Sequence, residues 1–96
     1  MLTSKQRAYL IGLSNAEPVV LQIGKNGVTP ESVASAEEIF NGRELFKGSV
    51  LKNCPDPPKD CAQMLAERTH AELVRVIGRK FILYRADREK PVIELP

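Results

Sequence analysis

The sequence has few of the side chains that stack on nucleobases or activate a substrate. Its 96 residues include no Trp, two Tyr, three Phe and one His, which is His70. Nucleobases stack on aromatic rings, so few positions in this chain could hold a base in that way. The lone imidazole follows a predicted helix, and the Gly-x-x-x-x-Gly-Lys-Ser/Thr run of a P-loop is absent. We therefore expect no enzymatic activity and no catalytic residue.

Cysteines and long apolar runs are also scarce. Cys54 and Cys61 are the two thiols, which is too few for a zinc site that usually has four ligands. We expect free thiols with packing roles in a reducing cytoplasm, with no metal and no cofactor. No apolar run reaches the roughly 18 residues of a membrane helix, and no apolar segment follows the basic N-terminal residues. We expect neither a signal peptide nor a membrane span.

The net charge is small. Fourteen Lys and Arg against 12 Asp and Glu leave +2, which does not by itself indicate a nucleic-acid partner. The positions of the charges are more informative, since the acidic residues fall mainly in the predicted second helix and the C-terminal tail. The basic residues of interest lie on the first helix, in loops and on predicted strands: Lys5, Arg7, Lys25, Lys47, Arg75, Arg79, Lys80 and Arg85. A one-sided basic face and ordinary solvated charge both fit this spacing.

Hydrophobic periodicity and punctuation by Gly and Pro divide the chain into alternating helices and strands. Helices are predicted at residues 3–14, 30–41 and 59–69, and strands at residues 19–23, 44–52, 71–77 and 81–85. Thr3 and Gln6 have the spacing of a capping box, Gly42 is a candidate helix cap, and His70 is a candidate left-handed residue. Gly48 interrupts the second strand, which predicts a bulge or a close backbone approach.

This order predicts one α/β domain over residues 1–96, with a small mixed sheet of about four strands packed with helices. The element order is α-β-α-β-α-β-β. A helix between two strands favours parallel pairing, and the short turn at residues 78–80 makes the last two strands an antiparallel hairpin. The strand at residues 19–23 is apolar enough to be central in the sheet. Residues 92–95 are an extended tail that could add to a sheet edge.

The stretch from Gly24 to Thr29 has the features of a phosphate-binding loop. Gly24 and Gly27 enclose Lys25 and Asn26, which offer a cation, a side-chain amide and two backbone N–H groups. Thr29 is a good N-cap, and the helix after it begins with unpaired N–H groups and a partial positive charge. An ordinary strand-to-helix turn fits the same residues, because short glycine motifs are weak signals.

Four segments in this order resemble the CRM domain in its stand-alone bacterial, YhbY-like form. They are LTSKQR at residues 2–7, VLQIGKNGVT at 20–29, RELFK at 43–47 and VIGRKFILYR at 76–85, and IELP at 93–96 also fits. The resemblance implies a fold similar to the C-terminal domain of translation initiation factor three, and an RNA-binding function. The sequence departs from the family pattern at Gly48, where an aliphatic residue is expected, at His70, where glycine is expected, and at Ile11, a place that is often basic.

The resemblance also implies a site and a role. A Gly-x-x-Gly loop after the first strand is the family's proposed RNA contact, and bacterial members are associated with precursors of the large ribosomal subunit. We therefore expect RNA as the partner, with no DNA and no membrane. The expected RNA-binding residues are Gly24, Lys25, Asn26, Gly27 and Thr29 in the loop, with Lys5, Arg7, Lys47, Arg75, Arg79, Lys80 and Arg85 around it.

A second hypothesis remains open at this stage. The chain could be a protein-interaction module that docks on a ribosomal or assembly protein. Such a module would show a bare apolar groove, whereas an RNA-binding protein would show a basic ridge from Lys25 to Arg79. Among the aromatics of the predicted strands, Phe46 and Tyr84 are the candidates for stacking on bases, and we expect both in the core.

Overall fold

A computed structural model describes residues 2–96. It contains three helices and four strands in the order α1 (Ser4–Ser14), β1 (Val19–Ile23), α2 (Pro30–Gly42), β2 (Leu45–Val50), α3 (Pro58–Thr69), β3 (Glu72–Ile77) and β4 (Lys80–Tyr84). The predicted element order and mixed α/β class are confirmed. Most predicted boundaries differ from the observed ones by one or two residues at an end, where helices and strands are hardest to delimit.

The four strands form one sheet in the order β1-β2-β4-β3. β1 and β2 are parallel, as predicted for strands joined by a helix, and β4 is antiparallel to both of its neighbours. The parallel prediction does not extend to β2 and β3, because β4 inserts between them. All four residues from Phe81 to Tyr84 are buried, and a strand that is apolar on both faces is stabilised by a central position.

The prediction that residues 19–23 form a central strand is wrong. β1 is an edge strand, and its Val20 side chain is 37% exposed. Gln22 is exposed as well. The β-branched residues of this segment indicated a strand correctly, but they did not distinguish a half-buried edge from a sheet centre.

Helices cover the two faces of the sheet unequally. One face is covered by α2 and α3, and its core includes Phe46, Leu65 and Phe81. The other face is covered by α1, which packs Leu10 on a smaller cluster that includes Ile82. α1 contacts β2, β3 and β4 but makes no comparable contact with β1. Part of the sheet on the α1 side is therefore left open.

The C-terminal tail does not extend a sheet edge, contrary to our expectation. Its backbone N–H groups at Val92 and Ile93 donate to the buried carboxylate of Glu44, at 2.9 and 2.7 Å. The N–H of Asp87 donates to the other oxygen of the same carboxylate. Because this carboxylate satisfies the donors that a strand would offer to a sheet, the tail instead packs Ile93 and Leu95 against the cluster under α1.

Gly48 marks a close approach, as its position in the strand suggested. It lies directly opposite Phe81 on the neighbouring strand. A Cβ atom added to Gly48 would lie 2.2 Å from Cζ of Phe81, far inside van der Waals contact. The Phe81 ring is completely buried and meets the Phe46 ring edge to face, with centroids 6.5 Å apart. The aliphatic residue that the family pattern favours at position 48 therefore cannot fit beside Phe81.

The helix ends confirm two predictions and correct a third. Thr3 and Gln6 form the capping box of α1, and His70 ends α3 in the left-handed region at φ 57°. Gly42 is the last residue of α2 rather than its cap. The cap is Arg43 in extended backbone; its N–H donates to the carbonyl of Ile39, and its guanidinium pairs with Glu17.

The two cysteines are free thiols that lie against each other. Their Sγ atoms are 3.5 Å apart, with Cys54 half-buried and Cys61 buried. Burial, followed by the hydrogen bond with Cys54 and by nearby negative charge, raises the pKa of the Cys61 thiol from 9.0 to about 12. The thiolate is the reactive form of cysteine, so the fold protects Cys61 from alkylation.

We expect iodoacetamide at pH 8 to modify one thiol per folded chain, at Cys54, and the second only after unfolding. A pKa near 12 instead of 9.0 lowers the thiolate fraction of Cys61 about a thousandfold at this pH. The raised pKa also stabilises the fold fully below pH 9, and this stabilisation is lost as the pH rises towards 12. Mass spectrometry of the alkylated chain, with Cys54→Ala as the assignment control, measures both sites. Equal rates at the two thiols in the folded protein would contradict the prediction.

Candidate nucleic-acid interface

Residues 24–27 form a tight turn at the end of β1. The N–H of Gly27 donates to the carbonyl of Gly24 at 3.0 Å, which places Lys25 and Asn26 at the two exposed corners. Gly27 has a φ of 67°, a conformation that favours glycine. Among the described residues, nothing accepts a hydrogen bond from the N–H groups of Lys25 and Asn26. The turn therefore presents one ammonium group and two free backbone donors.

The start of α2 offers fewer free donors than the sequence indicated. The hydroxyl of Thr29 accepts from the N–H of Ser32 at 3.1 Å, and the hydroxyl of Ser32 accepts from the N–H of Thr29 at 3.3 Å. Pro30 has no N–H, so within the described chain Glu31 supplies the one N–H of the first turn that is still free, and the Glu31 side chain is itself an anion. A carboxylate oxygen of Asp56 also lies 3.2 Å from where a Cβ on Gly27 would be. Lys25 and the turn, rather than the helix start, are the parts of this loop open to an anion.

Three of the predicted arginines hold the fold together. Arg7 donates to the backbone carbonyls of Leu73 and Val74, at the irregularity in β3. These bonds attach α1 to the sheet. An arginine that already donates to backbone carbonyls has fewer N–H groups available for a ligand.

Arg79 and Arg85 are committed in the same way. Arg79 donates to the carbonyls of Val50 and Leu51, at 2.8 and 2.6 Å. Arg85 pairs with Glu37 at 2.9 Å, and its guanidinium carbon lies 4.7 Å from the ring centroid of Phe40. This contact places Arg85 on the face covered by α2 and α3.

The structure brings three other predicted cations together on the open part of the α1 face. Lys47, Ile82 and Arg75 are cross-strand neighbours in one row, and Ser49, Lys80 and Ile77 form the next row. Neighbouring strands lie about 4.8 Å apart, so Lys47 and Arg75 flank the central strand at about 10 Å from each other. No described residue forms a hydrogen bond or ion pair with the charged groups of these three cations.

A shallow pocket of about 150 Å³ lies between these strands and the last turn of α1. We call it the sheet pocket. Its sheet side consists of Lys47, Arg75, Ile77, Lys80 and Ile82. Its helix side consists of Ile11, Ser14 and Asn15, and no acidic residue lines it. Lys5, in the first turn of α1, lies about 9 Å along the helix axis from Ile11 and about 15 Å from Asn15.

The loop and the sheet pocket lie at the same end of the sheet. Parallel pairing aligns the carboxyl ends of β1 and β2, and the N–H of Leu51 donates to the carbonyl of Ile23 at 2.8 Å. The N–H of Val50 donates to the carbonyl of Arg79 in the β3–β4 turn at 2.7 Å. The turn that carries Lys25 and the turn before Lys80 are thus joined through the end of β2.

Some residues near the 24–27 turn and the sheet pocket could not be recognised from the sequence as candidates for binding. Ile77 is 51% exposed and lies in the sheet pocket, although it reads as an ordinary strand residue. Asn15 was recognisable in the sequence only as the residue that follows the first predicted helix. Lys52 follows the exposed Leu51 at the same end of the sheet. The sequence predicted this location only indirectly, because parallel pairing of β1 with β2 puts the residues after both strands at one end of the sheet.

Other kinds of site find little support in the part of the chain that is described. Across residues 2–96, no three His, Cys, Asp or Glu side chains are grouped so that they could hold a metal ion. Nor does any helix in this range have the length and apolar character needed to cross a membrane.

The fold and this edge define a class of protein: a small α/β domain with unpaired cations beside a glycine turn. Residues 2–85 match the family model of the CRS1 / YhbY (CRM) domain, and the chain belongs to this family. The family resemblance of the sequence segments is therefore confirmed.

Three relatives are similar along nearly the whole chain. The Bacillus subtilis protein named "Probable RNA-binding protein YqeI" is 36% identical over 96 residues, which is 100% of both chains. A Haemophilus influenzae protein named "RNA-binding protein" is 32% identical over 95 residues, 99% of this chain and 95% of its own. The solution structure of a Staphylococcus aureus protein, to which RNA binding has been ascribed, has a TM-score of 0.83 and 41% identity, with 100% of both chains covered.

Proposed function

We propose that this protein binds structured RNA through the edge formed by the residue 24–27 turn and the sheet pocket. The observation that carries the proposal is the cluster of Lys47, Arg75 and Lys80, which have no partner among the described residues and line a pocket without an acidic residue. Lys25 adds a fourth cation at the same end of the sheet. The names of the two curated relatives support RNA as the partner.

The chemistry of the edge fits the RNA backbone. Ammonium and guanidinium groups neutralise phosphates and release the counterions that surround the nucleic acid. Such contacts position RNA without reading its sequence. Phe46 and Tyr84 are 0% and 6% exposed, so stacking on them is excluded, and selection among RNAs comes largely from RNA shape.

The cellular role we propose is maturation of the large ribosomal subunit in the cytoplasm, with no DNA or membrane partner. Its support is the family resemblance, in which bacterial stand-alone members are associated with precursors of this subunit. Crosslinking in cells, followed by sequencing of the attached RNA, tests the role. We expect reads concentrated in large-subunit ribosomal RNA; a spread over unrelated transcripts would contradict it.

RNA binding by this edge should be strongly salt-dependent, and Lys25 should account for part of that dependence. We expect Lys25→Ala to lower the slope of log affinity against log salt by about 0.7 to 0.9, the value for one lost phosphate contact. Fluorescence anisotropy with a ribosomal RNA hairpin measures the slope. Lys59→Ala, an exposed lysine at the start of α3, is the matched control and should leave the slope unchanged.

Two results would contradict the proposal at different levels. An affinity that does not change with salt would refute electrostatic binding to the RNA backbone. A steep slope that Lys25→Ala and even Lys25→Glu leave unchanged would refute the role of the turn but not RNA binding itself.

An apolar groove keeps the protein-interaction hypothesis as a second candidate. The groove measures about 380 Å³, and its apolar side chains include Leu13, Phe40, Leu45 and Val92. Charged residues line it as well: Glu17, Arg43, Glu44 and Asp87. It lies beside the C-terminal tail, away from the cationic edge. If this groove docks a ribosomal or assembly protein, crosslinking in cells should recover that protein through Leu13 or Val92, and the lysine variants should leave the yield unchanged.

A further inference from the structure

The sheet pocket combines charge with an apolar surface in a way that phosphate binding alone does not require. Ile77 is 51% exposed in the same cross-strand row as Lys80, and Ile82 lies between Lys47 and Arg75. Ile11 adds a third aliphatic side chain from α1. Of these three, Ile77 is exposed, Ile11 is half-buried and Ile82 is only 5% exposed. An exposed apolar side chain among cations favours a ligand with an uncharged face and an anionic backbone.

The polar groups of the pocket are suited to the edge of a nucleobase. Asn15 lines the pocket from the end of α1, and its side-chain amide offers both donor and acceptor atoms. Among the described residues nothing bonds to this amide. The hydroxyl of Ser14 donates to the carbonyl of Ile11 at 2.7 Å and is therefore already committed. Asn15 is the group that can meet the donors and acceptors of a base.

The size of the pocket limits which base fits. Its volume is about 150 Å³, and an aliphatic cavity of roughly 150 Å³ holds one benzene ring. A single six-membered ring therefore fits, whereas the second ring of a purine would extend beyond the apolar surface. Bases inside an A-form helix are not accessible to such a pocket, because they are stacked and their major groove is deep and narrow.

We propose that the sheet pocket binds one unpaired pyrimidine of the RNA, with the flanking phosphates on Lys47, Arg75 and Lys80. This inference rests on the proposed RNA-binding function and names the kind of RNA that the edge selects: a helix with a bulge or loop that presents a single uridine or cytidine. The aliphatic side chains take the place of an aromatic stacking platform on the sheet, where Phe46, Phe81 and Tyr84 are all buried.

Four RNA hairpins of one parent sequence test the inference by anisotropy at about 50 mM salt, where phosphate contacts are strong. They carry a bulged uridine, a bulged adenosine, a bulged abasic site or no bulge. We expect the bulged uridine to bind about fivefold more tightly than the abasic and fully paired hairpins, the effect of one aliphatic contact with a ring. The bulged adenosine should bind less tightly than the uridine.

Ile77→Ala should remove most of this preference while leaving the salt slope intact, because it deletes apolar surface and no charge. The matched control is Val92→Ala, another exposed aliphatic side chain, 79% exposed and outside the pocket; it should keep the full preference. In spectra of methyl-labelled isoleucines, the bulged-uridine hairpin should shift Ile77 and Ile82, and the paired hairpin should not.

The outcomes separate the two proposals. If all four hairpins bind equally well with a steep salt slope, the pyrimidine pocket is refuted and RNA binding stands. If no hairpin binds in a salt-dependent way, RNA binding by this edge is refuted and the pocket inference with it. An equal loss of preference in Ile77→Ala and Val92→Ala would also refute the pocket.

Discussion

Replacing Lys47, Arg75 and Lys80 together with alanine is expected to weaken RNA binding about a hundredfold at 0.1 M salt. For single strands, each phosphate contact contributes roughly 0.7 to the slope of log affinity against log salt. Three contacts therefore change the affinity about a hundredfold between 0.1 M and 1 M salt. Within residues 2–96 the three side chains have no hydrogen-bond or ion-pair partner to lose, so the fold should be retained. Affinity measured over a salt series, with circular dichroism as the check on folding, tests this result.

A variant with the same change in charge provides the control. Lys59, Arg68 and Lys90 are exposed and lie outside the sheet pocket. Their replacement by alanine also takes the formal net charge from +2 down by three. If the two triple variants lose affinity equally, overall charge rather than the sheet pocket determines binding, and the proposed interface is wrong.

The second large effect concerns stability. We expect Gly48→Ala to lower the free energy of unfolding by about 3 kcal/mol, at the upper end of what overpacking a core costs. The added methyl would meet three atoms of the Phe81 ring at 2.2 to 2.8 Å, and that ring is completely buried with the Phe46 ring against it. Urea denaturation measures the change.

Two further variants show whether the cause is the ring. Gly12→Ala adds a methyl in open space within α1 and should stabilise the protein by up to about 1 kcal/mol, because alanine favours the helix. Phe81→Leu combined with Gly48→Ala should give a favourable coupling energy of about 2 kcal/mol in a double-mutant cycle. If the two substitutions are additive, the Phe81 ring is not what excludes a side chain at position 48.

Local signals in the sequence predicted the helices and strands of this fold. The order of the strands in the sheet could not be predicted in the same way, because it depends on packing between residues that are distant in sequence. The capping box at Thr3 and the left-handed His70 were recognisable because a cap is specified by a few adjacent residues. The edge position of β1 was not, since an edge strand with one buried face has nearly the same composition as a central one. The position of the C-terminal tail could not be predicted either, because it depends on the carboxylate of Glu44, which is distant in sequence from the three N–H groups it binds.

The candidate site was predictable as a set of charges but not as an arrangement. The sequence identified Lys47, Arg75 and Lys80 among the basic residues, and the strand register then placed them in two adjacent rows. It could not separate these from Arg7 and Arg79, because a guanidinium committed to backbone carbonyls looks the same in sequence as a free one. Ile77 had no signal at all, since its exposure follows from how far α1 extends over the sheet.

The carbonyl contacts of the arginines have a consequence for how this chain tolerates change. Within residues 2–96 no lysine side chain is hydrogen-bonded or ion-paired, whereas Arg7, Arg43, Arg79 and Arg85 all are. Acetylation of lysines would therefore remove cationic charge from the surface and leave these four arginine contacts intact. A lysine in place of Arg79 keeps the charge but lacks the forked Nε and Nη2 donors that reach two carbonyls at once. Exchanges at lysines therefore leave these contacts of the fold unchanged and act through the proposed RNA-binding surface, while exchanges at these arginines act first on folding.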